Sequence, residues 1–145
     1  KRVYLINEKG NYVTYYNFDD TTGTLAPVQI VTSLPETYTG EGQASAVVLH
    51  PSEEFLYATN RIHESIATYR INKETGFISN IAWNETLGLT PRFATISTDS
   101  NALLVANEDS DTIRIFTINP QSGMLTYSGT TIETGSPTCI AFKTK

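Results

Sequence analysis

Leu56-Tyr-Ala-Thr-Asn-Arg61, closed fifteen residues later by Gly76-Phe-Ile78, decides the fold, because the chain carries this phrase three times. The other copies are Val3-Tyr-Leu-Ile-Asn-Glu8 with Gly23-Thr-Leu25, and Leu103-Leu-Val-Ala-Asn-Glu108 with Gly123-Met-Leu125. Asn7, Asn60 and Asn107 each precede their glycine by sixteen residues, and they lie 53 and 47 residues apart. Between asparagine and glycine, apolar residues fall in register at Val13, Ile66 and Ile113, then at Tyr16, Tyr69 and Phe116. A period of roughly 40–50 residues built from short β-runs is the mark of a propeller blade. One such unit cannot bury its own faces and needs a neighbour.

The middle unit shows the pattern most fully. Ser45-Ala-Val-Val-Leu-His50 is almost continuously apolar and suits a strand buried on both faces. Pro51 to Glu54 form a turn, Phe55 to Thr59 a second strand and Ser65 to Ile71 a third. Asn72 to Gly76 connect to a more polar outer strand over Phe77–Thr86. The third unit repeats this with strands over Arg92–Thr98, Ala102–Ala106, Thr112–Ile118 and Met124–Ile132; the first has no inner strand. The expected architecture is all-β, a propeller fragment of about three four-stranded antiparallel blades, with units at 1–43, 44–90 and 91–136. Residues 137–142 read as an inner strand without outer strands after it, a closing strand for a blade begun elsewhere. Closed propellers have about 4–8 blades, so the expectation is the C-terminal part of a longer protein, with the remaining N-terminal blades as its partner. A small protein closing its ring by oligomerisation is the alternative.

Fifteen acidic against ten basic residues give a net charge of −5, and the basic residues are scattered. Nucleic acid and membrane surfaces both reward clustered Lys and Arg, so neither is an expected partner. No apolar run approaches the ~20 residues of a membrane span. The single cysteine, Cys139, excludes an internal disulfide framework and a cysteine-based zinc site. Neither a metal nor another cofactor is expected, and a cytoplasmic protein fits this usage.

Repeat symmetry also locates a candidate site. Glu8, Arg61 and Glu108 share one repeat position, directly after the asparagine that ends the second strand. Equivalent positions on successive blades lie side by side around the central channel, so Glu8 and Arg61 flank each other on one rim. In an antiparallel blade the start of the inner strand lies beside the end of the second. This brings Gln43 and Ser45 near Arg61, and Arg92 near Glu108. His63 follows Arg61 in the loop at the same end. Arg grips a carboxylate or phosphate with paired hydrogen bonds, and Glu serves as general acid or base when its pKa is tuned. The group suits a small anionic, oxygen-rich substrate.

The phrases Tyr4-Leu-Ile-Asn-Glu8, His50-Pro-Ser-Glu-Glu-Phe-Leu-Tyr-Ala-Thr-Asn-Arg61, His63-Glu-Ser-Ile66 and Ala106-Asn-Glu-Asp-Ser-Asp111 resemble those of the lactonase-type seven-bladed propellers. Pro91-Arg92 and Ser136-Pro-Thr-Cys-Ile-Ala-Phe142 follow the same pattern. That family includes a bacterial 6-phosphogluconolactonase and the fungal carboxymuconate lactonising enzyme. The resemblance covers the whole chain but three-sevenths of a family member, and it implies hydrolysis of a small anionic sugar lactone, foremost 6-phosphogluconolactone. Carboxymuconate cycloisomerisation and a non-catalytic binding scaffold are the alternatives. It places Glu8 and Arg61 in the active site; His63 joins them as a catalytic candidate, with Arg92, Gln43 and Ser45 as substrate-binding candidates. Other family site residues belong to blades outside this chain, so the chain alone is expected to be inactive or nearly so. Lys9 departs from the apolar residue common after the Asn-Glu motif.

Bland readings stand beside these. Glu8 and Arg61 also fit a rim ion pair of little energetic weight. Glu108 fits a solvated or structural role, and His50 beside Pro51 fits a structural one. The three asparagines fit turn capping. Asp109-Ser-Asp111 lacks the glycine and distal glutamate of a calcium loop and reads as a turn. Cys139 reads as inert in a buried strand, Asn84-Glu-Thr86 as a sequon without meaning in the cytoplasm, and Trp83 as packing between blades.

Overall fold

The computed structural model describes residues 1–143, and these form eleven strands in three antiparallel sheets without a helix. The first sheet holds β1 (Arg2–Asn7), β2 (Tyr12–Asp19) and β3 (Thr24–Thr32) in that order. The second runs β4 (Gln43–Leu49), β5 (Phe55–Arg61), β6 (Ser65–Ile71), β7 (Ile78–Glu85). The third runs β8 (Pro91–Ile96), β9 (Ala102–Asn107), β10 (Thr112–Ile118), β11 (Leu125–Glu133). Within each sheet, strands adjacent in sequence are adjacent in space, the meander expected of a propeller blade. No helix among the described residues is long and apolar enough to cross a membrane.

The repeat is visible in the register. Asn7 pairs with Tyr12, Asn60 with Ser65 and Asn107 with Thr112, so one hairpin recurs three times. Inside each hairpin a non-glycine residue takes positive φ at the same place: Asn11 (53°), Glu64 (52°) and Asp111 (55°). Asn7 and Asn60 bond within their own hairpins, and Asn60 and Asn107 bond to the end of the preceding sheet, so they join blades as well as cap turns. Asn60 Nδ2 donates to Ser65 Oγ at 3.1 Å and to Ser33 O at 2.8 Å, while Asn107 Nδ2 donates to Thr86 O at 3.3 Å.

Two cores lie between the sheets. Phe55, Tyr57, Ile66, Leu103, Val105 and Phe116 fill one, while Val13, Leu56, Ala58, Ala67 and Tyr69 fill the other. Side chains alternate across a strand, so β5 sends Phe55 and Tyr57 one way and Leu56 and Ala58 the other. Both faces of β5 are therefore interior, whereas β4, expected from its apolar run to be buried on both faces, is only partly buried and leaves Leu49 exposed, because it lies at the edge of its sheet. Polar ties cross the same interfaces. Tyr4 Oη donates to Gly76 O at 2.7 Å, and Tyr57 Oη to Gly123 O at 2.9 Å. Both glycines turn their hairpins at positive φ, 81° and 74°, which glycine adopts without steric cost. His50 is buried, with Nε2 3.0 Å from Ser100 O and Nδ1 2.8 Å from Ser52 Oγ, a bridge from sheet two to sheet three. Trp83 Nε1 donates to Ser33 O at 2.9 Å, joining sheets one and two.

Some boundaries move. Gln43 opens β4 rather than closing the first unit, and the outer strands begin at Ile78 and Leu125. Residues 137–142 form no ladder here; a strand is defined by its partner, and no partner lies beside them. For the same reason Cys139, expected in a buried strand, is exposed.

Candidate active site

Arg61 is the last residue of β5, opposite Gln43 in the ladder. Glu8 directly follows β1 on the preceding sheet. The two sheets are stitched here by the backbone, Ala44 N donating to Glu8 O at 3.0 Å. The Arg61 guanidinium then reaches the Glu8 carboxylate, Nη2 to Oε1 at 2.6 Å. The pair is lopsided: the Arg61 side chain is 12% exposed and that of Glu8 55%. The hydrogen bond from Arg61, then its charge, holds the Glu8 carboxyl below the ordinary glutamate range, and Lys9 and Arg92 add smaller effects of the same sign. Charges from all three sheets therefore act at one rim. Arg61 Nε is buried without a protein partner.

β-bulges set the rim. In β4 the register slips between Ala44 and Val47, so Ser45 and Ala46 together oppose Thr59. In β8 it slips between Pro91 and Phe93, leaving Arg92 as the extra residue. A bulge re-aims the side chains it carries. Arg92 is half-exposed, its Nε 4.0 Å from Glu108 Oε2. Ser45 turns toward the next sheet, donating to Pro91 O at 2.5 Å and lying 2.8 Å from Thr59 Oγ1. Inner strand β4 is thereby tied to inner strand β8.

The structure thus brings Glu8, Arg61 and Gln43 together, with Arg92 and Glu108 on the next sheet. His63 lies in the hairpin after Arg61, its Nδ1 2.7 Å from Ser65 Oγ and its ring edge-on to Tyr38 at 4.4 Å. Asp109 and Asp111 serve loops: Asp109 Oδ2 accepts from Thr90 Oγ1, and Asp111 Oδ1 from Ser136 N at 2.7 Å.

Sequence reading passed over Glu64. Its Oε1 accepts from Ile62 N at 3.2 Å and its Oε2 from Thr90 N at 2.8 Å. Burial pushes its carboxyl above the ordinary range, and the hydrogen bonds from Thr90 and Ile62 partly oppose that shift. The signal available was its place in the repeat, four residues after the asparagine, shared with Asn11 and Asp111.

A cavity of about 570 Å³ opens at the opposite end of the strands, lined by Arg2, Tyr4, Leu49, Ser52 and Lys73 among others. It borders β1, whose second edge carries no strand among the described residues. It is a groove beside an incomplete sheet, and none of the rim residues above lines it.

A family model described as "Lactonase, 7-bladed beta-propeller" matches residues 1–142. The 6-phosphogluconolactonase of Bacillus subtilis is 28% identical over 142 residues, which are 98% of this chain and 41% of that protein. Among solved structures, the periplasmic gluconolactonase of Pseudomonas aeruginosa superposes with a TM-score of 0.87 at 28% identity, over 94% of this chain and 38% of the other. A putative 6-phosphogluconolactonase from Bacteroides uniformis gives 0.85 at 31% identity, over 94% and 38%. The chain thus spans about two fifths of the length of the curated relatives it matches.

Proposed function

Because the chain belongs to the lactonase family of seven-bladed β-propellers, we propose that it forms three blades of an enzyme hydrolysing a small anionic sugar lactone, foremost 6-phosphogluconolactone. The Glu8–Arg61 pair at the rim carries this reading. The names of the Bacillus, Pseudomonas and Bacteroides relatives support the lactone as substrate class.

Arg61 spends one nitrogen on Glu8 and a longer contact on Ala44 O. A guanidinium has five N–H donors, so donors remain for a carboxylate or phosphate oxygen. Glu8, ionised and half in water, accepts a proton from the attacking water. Its depressed pKa makes it a weak base while Arg61 holds it. A substrate anion that draws Arg61 toward itself restores the basicity, which couples binding to activation. Arg92, beside the developing oxyanion, stabilises charge that appears only in the transition state. Water adds to the carbonyl carbon, the ring C–O bond breaks, and the leaving alkoxide takes a proton. His63 is the proposed carrier of that proton: Ser65 engages Nδ1 and leaves Nε2 as the working nitrogen. Gln43 contacts the substrate beside Arg61. Ser45 contributes by holding β4 against β8. The remaining blades supply the rest of the site, and a phosphorylated substrate suits a cytoplasmic protein.

The test is lactone hydrolysis by the complete propeller, with 6-phosphogluconolactone and unphosphorylated gluconolactone compared. Turnover of the phosphorylated lactone that falls in Arg61→Ala and Glu8→Gln supports the reading. Turnover of neither lactone, or variants as fast as wild type, sinks it.

A further inference from the structure

One carboxylate ties together the two segments that carry the rim arginines. Glu64 holds Ile62 N with one oxygen and Thr90 N with the other. Ile62 directly follows Arg61; Thr90 precedes Pro91-Arg92. Both captured residues are β-branched and sit at positive φ, 74° for Ile62 and 56° for Thr90. That conformation is an outlier for such residues. It persists only where the surroundings over-determine it, and it concentrates at functional sites. Glu64 itself and Leu87 add two more positive values, 52° and 56°, around the same carboxylate. The Glu64 backbone joins in: its carbonyl accepts from Thr86 N at 2.9 Å and Thr86 Oγ1 at 3.0 Å.

The repeat shows what is common and what is particular. Asn11 Nδ2 donates to Gly42 O at 3.1 Å, and Asp111 Oδ1 accepts from Ser136 N at 2.7 Å. Gly42 and Thr90 stand just before β4 and β8, and Ser136 just before residues 137–142. The hairpin residue therefore fixes the entry of β4 and of β8, and in the third blade it holds the segment that follows. Glu64 alone of the three is seen to use a second oxygen on its own hairpin, beside Arg61.

We infer that Glu64 is a positioning residue for the proposed site, setting Arg61 and Arg92 relative to one another by clamping Ile62 and Thr90. This rests on the proposed lactonase reading for its kinetic consequence and on geometry alone for its structural one. Without the clamp, Ile62 and Thr90 relax from the left-handed region, and the arginines beside them lose their fixed spacing.

The test uses Glu64→Ala and the milder Glu64→Gln, with Asp111→Ala as control, since Asp111 makes the one bond to the segment after its blade without the second bond to its own hairpin. Three readouts are taken: amide hydrogen exchange at Ile62 and Thr90, titration of the Glu8 carboxyl by NMR, and KM and kcat below the melting temperature. Expected in Glu64→Ala are faster exchange at both amides, a Glu8 titration moved up toward the ordinary glutamate range, and a KM raised roughly 10–100-fold. Removing the Glu64 charge by itself would move Glu8 the other way, so the sign identifies the loss of Arg61. Glu64→Gln, with one acceptor oxygen, falls between, and Asp111→Ala leaves Glu8 and KM at wild-type values. If Glu64→Ala does not fold, Glu64→Gln decides. A Glu8 titration unchanged or lowered in the Glu64 variant overturns the proposal. If wild type turns over no lactone, the lactonase reading fails alone, and exchange and titration still decide the clamp.

Discussion

The phenol of Tyr57 on β5 donates to the carbonyl of Gly123 in the hairpin of the next sheet, 2.9 Å away and fully buried. Tyr4 makes the same bond to Gly76 one blade earlier, at 2.7 Å and partly buried. Burial pushes the Tyr57 phenol up, so it stays a donor throughout the accessible pH range. Removing the hydroxyl strands a buried carbonyl, which costs about 1–3 kcal/mol. Tyr57→Phe is therefore expected to lower unfolding free energy by that amount, and Tyr4→Phe by less. Urea titration of both variants checks the order.

The hairpin glycines are not equivalent. A Cβ at Gly123 would meet the Phe55 ring at 2.3 Å, whereas one at Gly23 meets nothing within 4 Å. Both have positive φ, 74° and 69°. Gly23→Ala is expected to cost about 1 kcal/mol for backbone strain alone. Gly123→Ala adds a clash with the core and is expected to cost more than twice as much. Thermal unfolding of the pair separates strain from packing.

Catalysis should report the Glu8–Arg61 pair through pH. A depressed Glu8 pKa puts the acid limb of the rate profile below the ordinary carboxylate range. Arg61→Ala removes the main cause and should move that limb upward while lowering kcat/KM roughly 10²–10³-fold. A pH–rate profile of the two proteins is the measurement.

Acid should destabilise the protein through several exposed carboxyls. Glu8 and Glu54 are held down by hydrogen bonds and charge from Arg61 and Lys73, Asp19 by backbone N–H groups of Thr21 and Thr22, and Asp99 by the Ser97 hydroxyl. A depressed folded pKa contributes stability above the unfolded value, about 4 for these groups. That stability disappears as pH falls through the folded value. Glu64 runs the other way: its raised folded pKa contributes stability below the unfolded value and loses it as pH rises. Melting temperature should therefore fall on acidification below about pH 4. Salt should weaken the Glu8 and Glu54 contributions through screening and spare those of Asp19 and Asp99, which rest on hydrogen bonds.

Much of this was legible in the residues. Asn60 and Gly76 recur because a hairpin and a positive-φ turn each demand a residue type, so the blade period shows in the letters. The meeting of Glu8 with Arg61 followed from symmetry and antiparallel register alone. Glu64 escaped because its repeat position constrains backbone and reach, not identity: Asn11, Glu64 and Asp111 do related work with different chemistry. Ser45 was placed near Arg61 by register, but the bulge at Ala44–Val47 turns its hydroxyl to Pro91, and no pattern of letters announced that bulge. Cys139 looked buried because Ile140, Ala141 and Phe142 are apolar, yet burial needs a sheet to lie against.

The bulges in β4 and β8 have a consequence for how such a protein changes over time. Ser45, Ala46 and Arg92 occupy positions where two residues face one across the ladder. The strands are held by their neighbours' pairings, and the cores by β5, β9 and the residues facing them. Ser45 and Ala46 belong to that scaffold, one bonded to Pro91 O and the other packed against the core, but Arg92 stands half-exposed at the rim and fills neither core. A replacement at Arg92 can therefore remake the rim while folding proceeds as before.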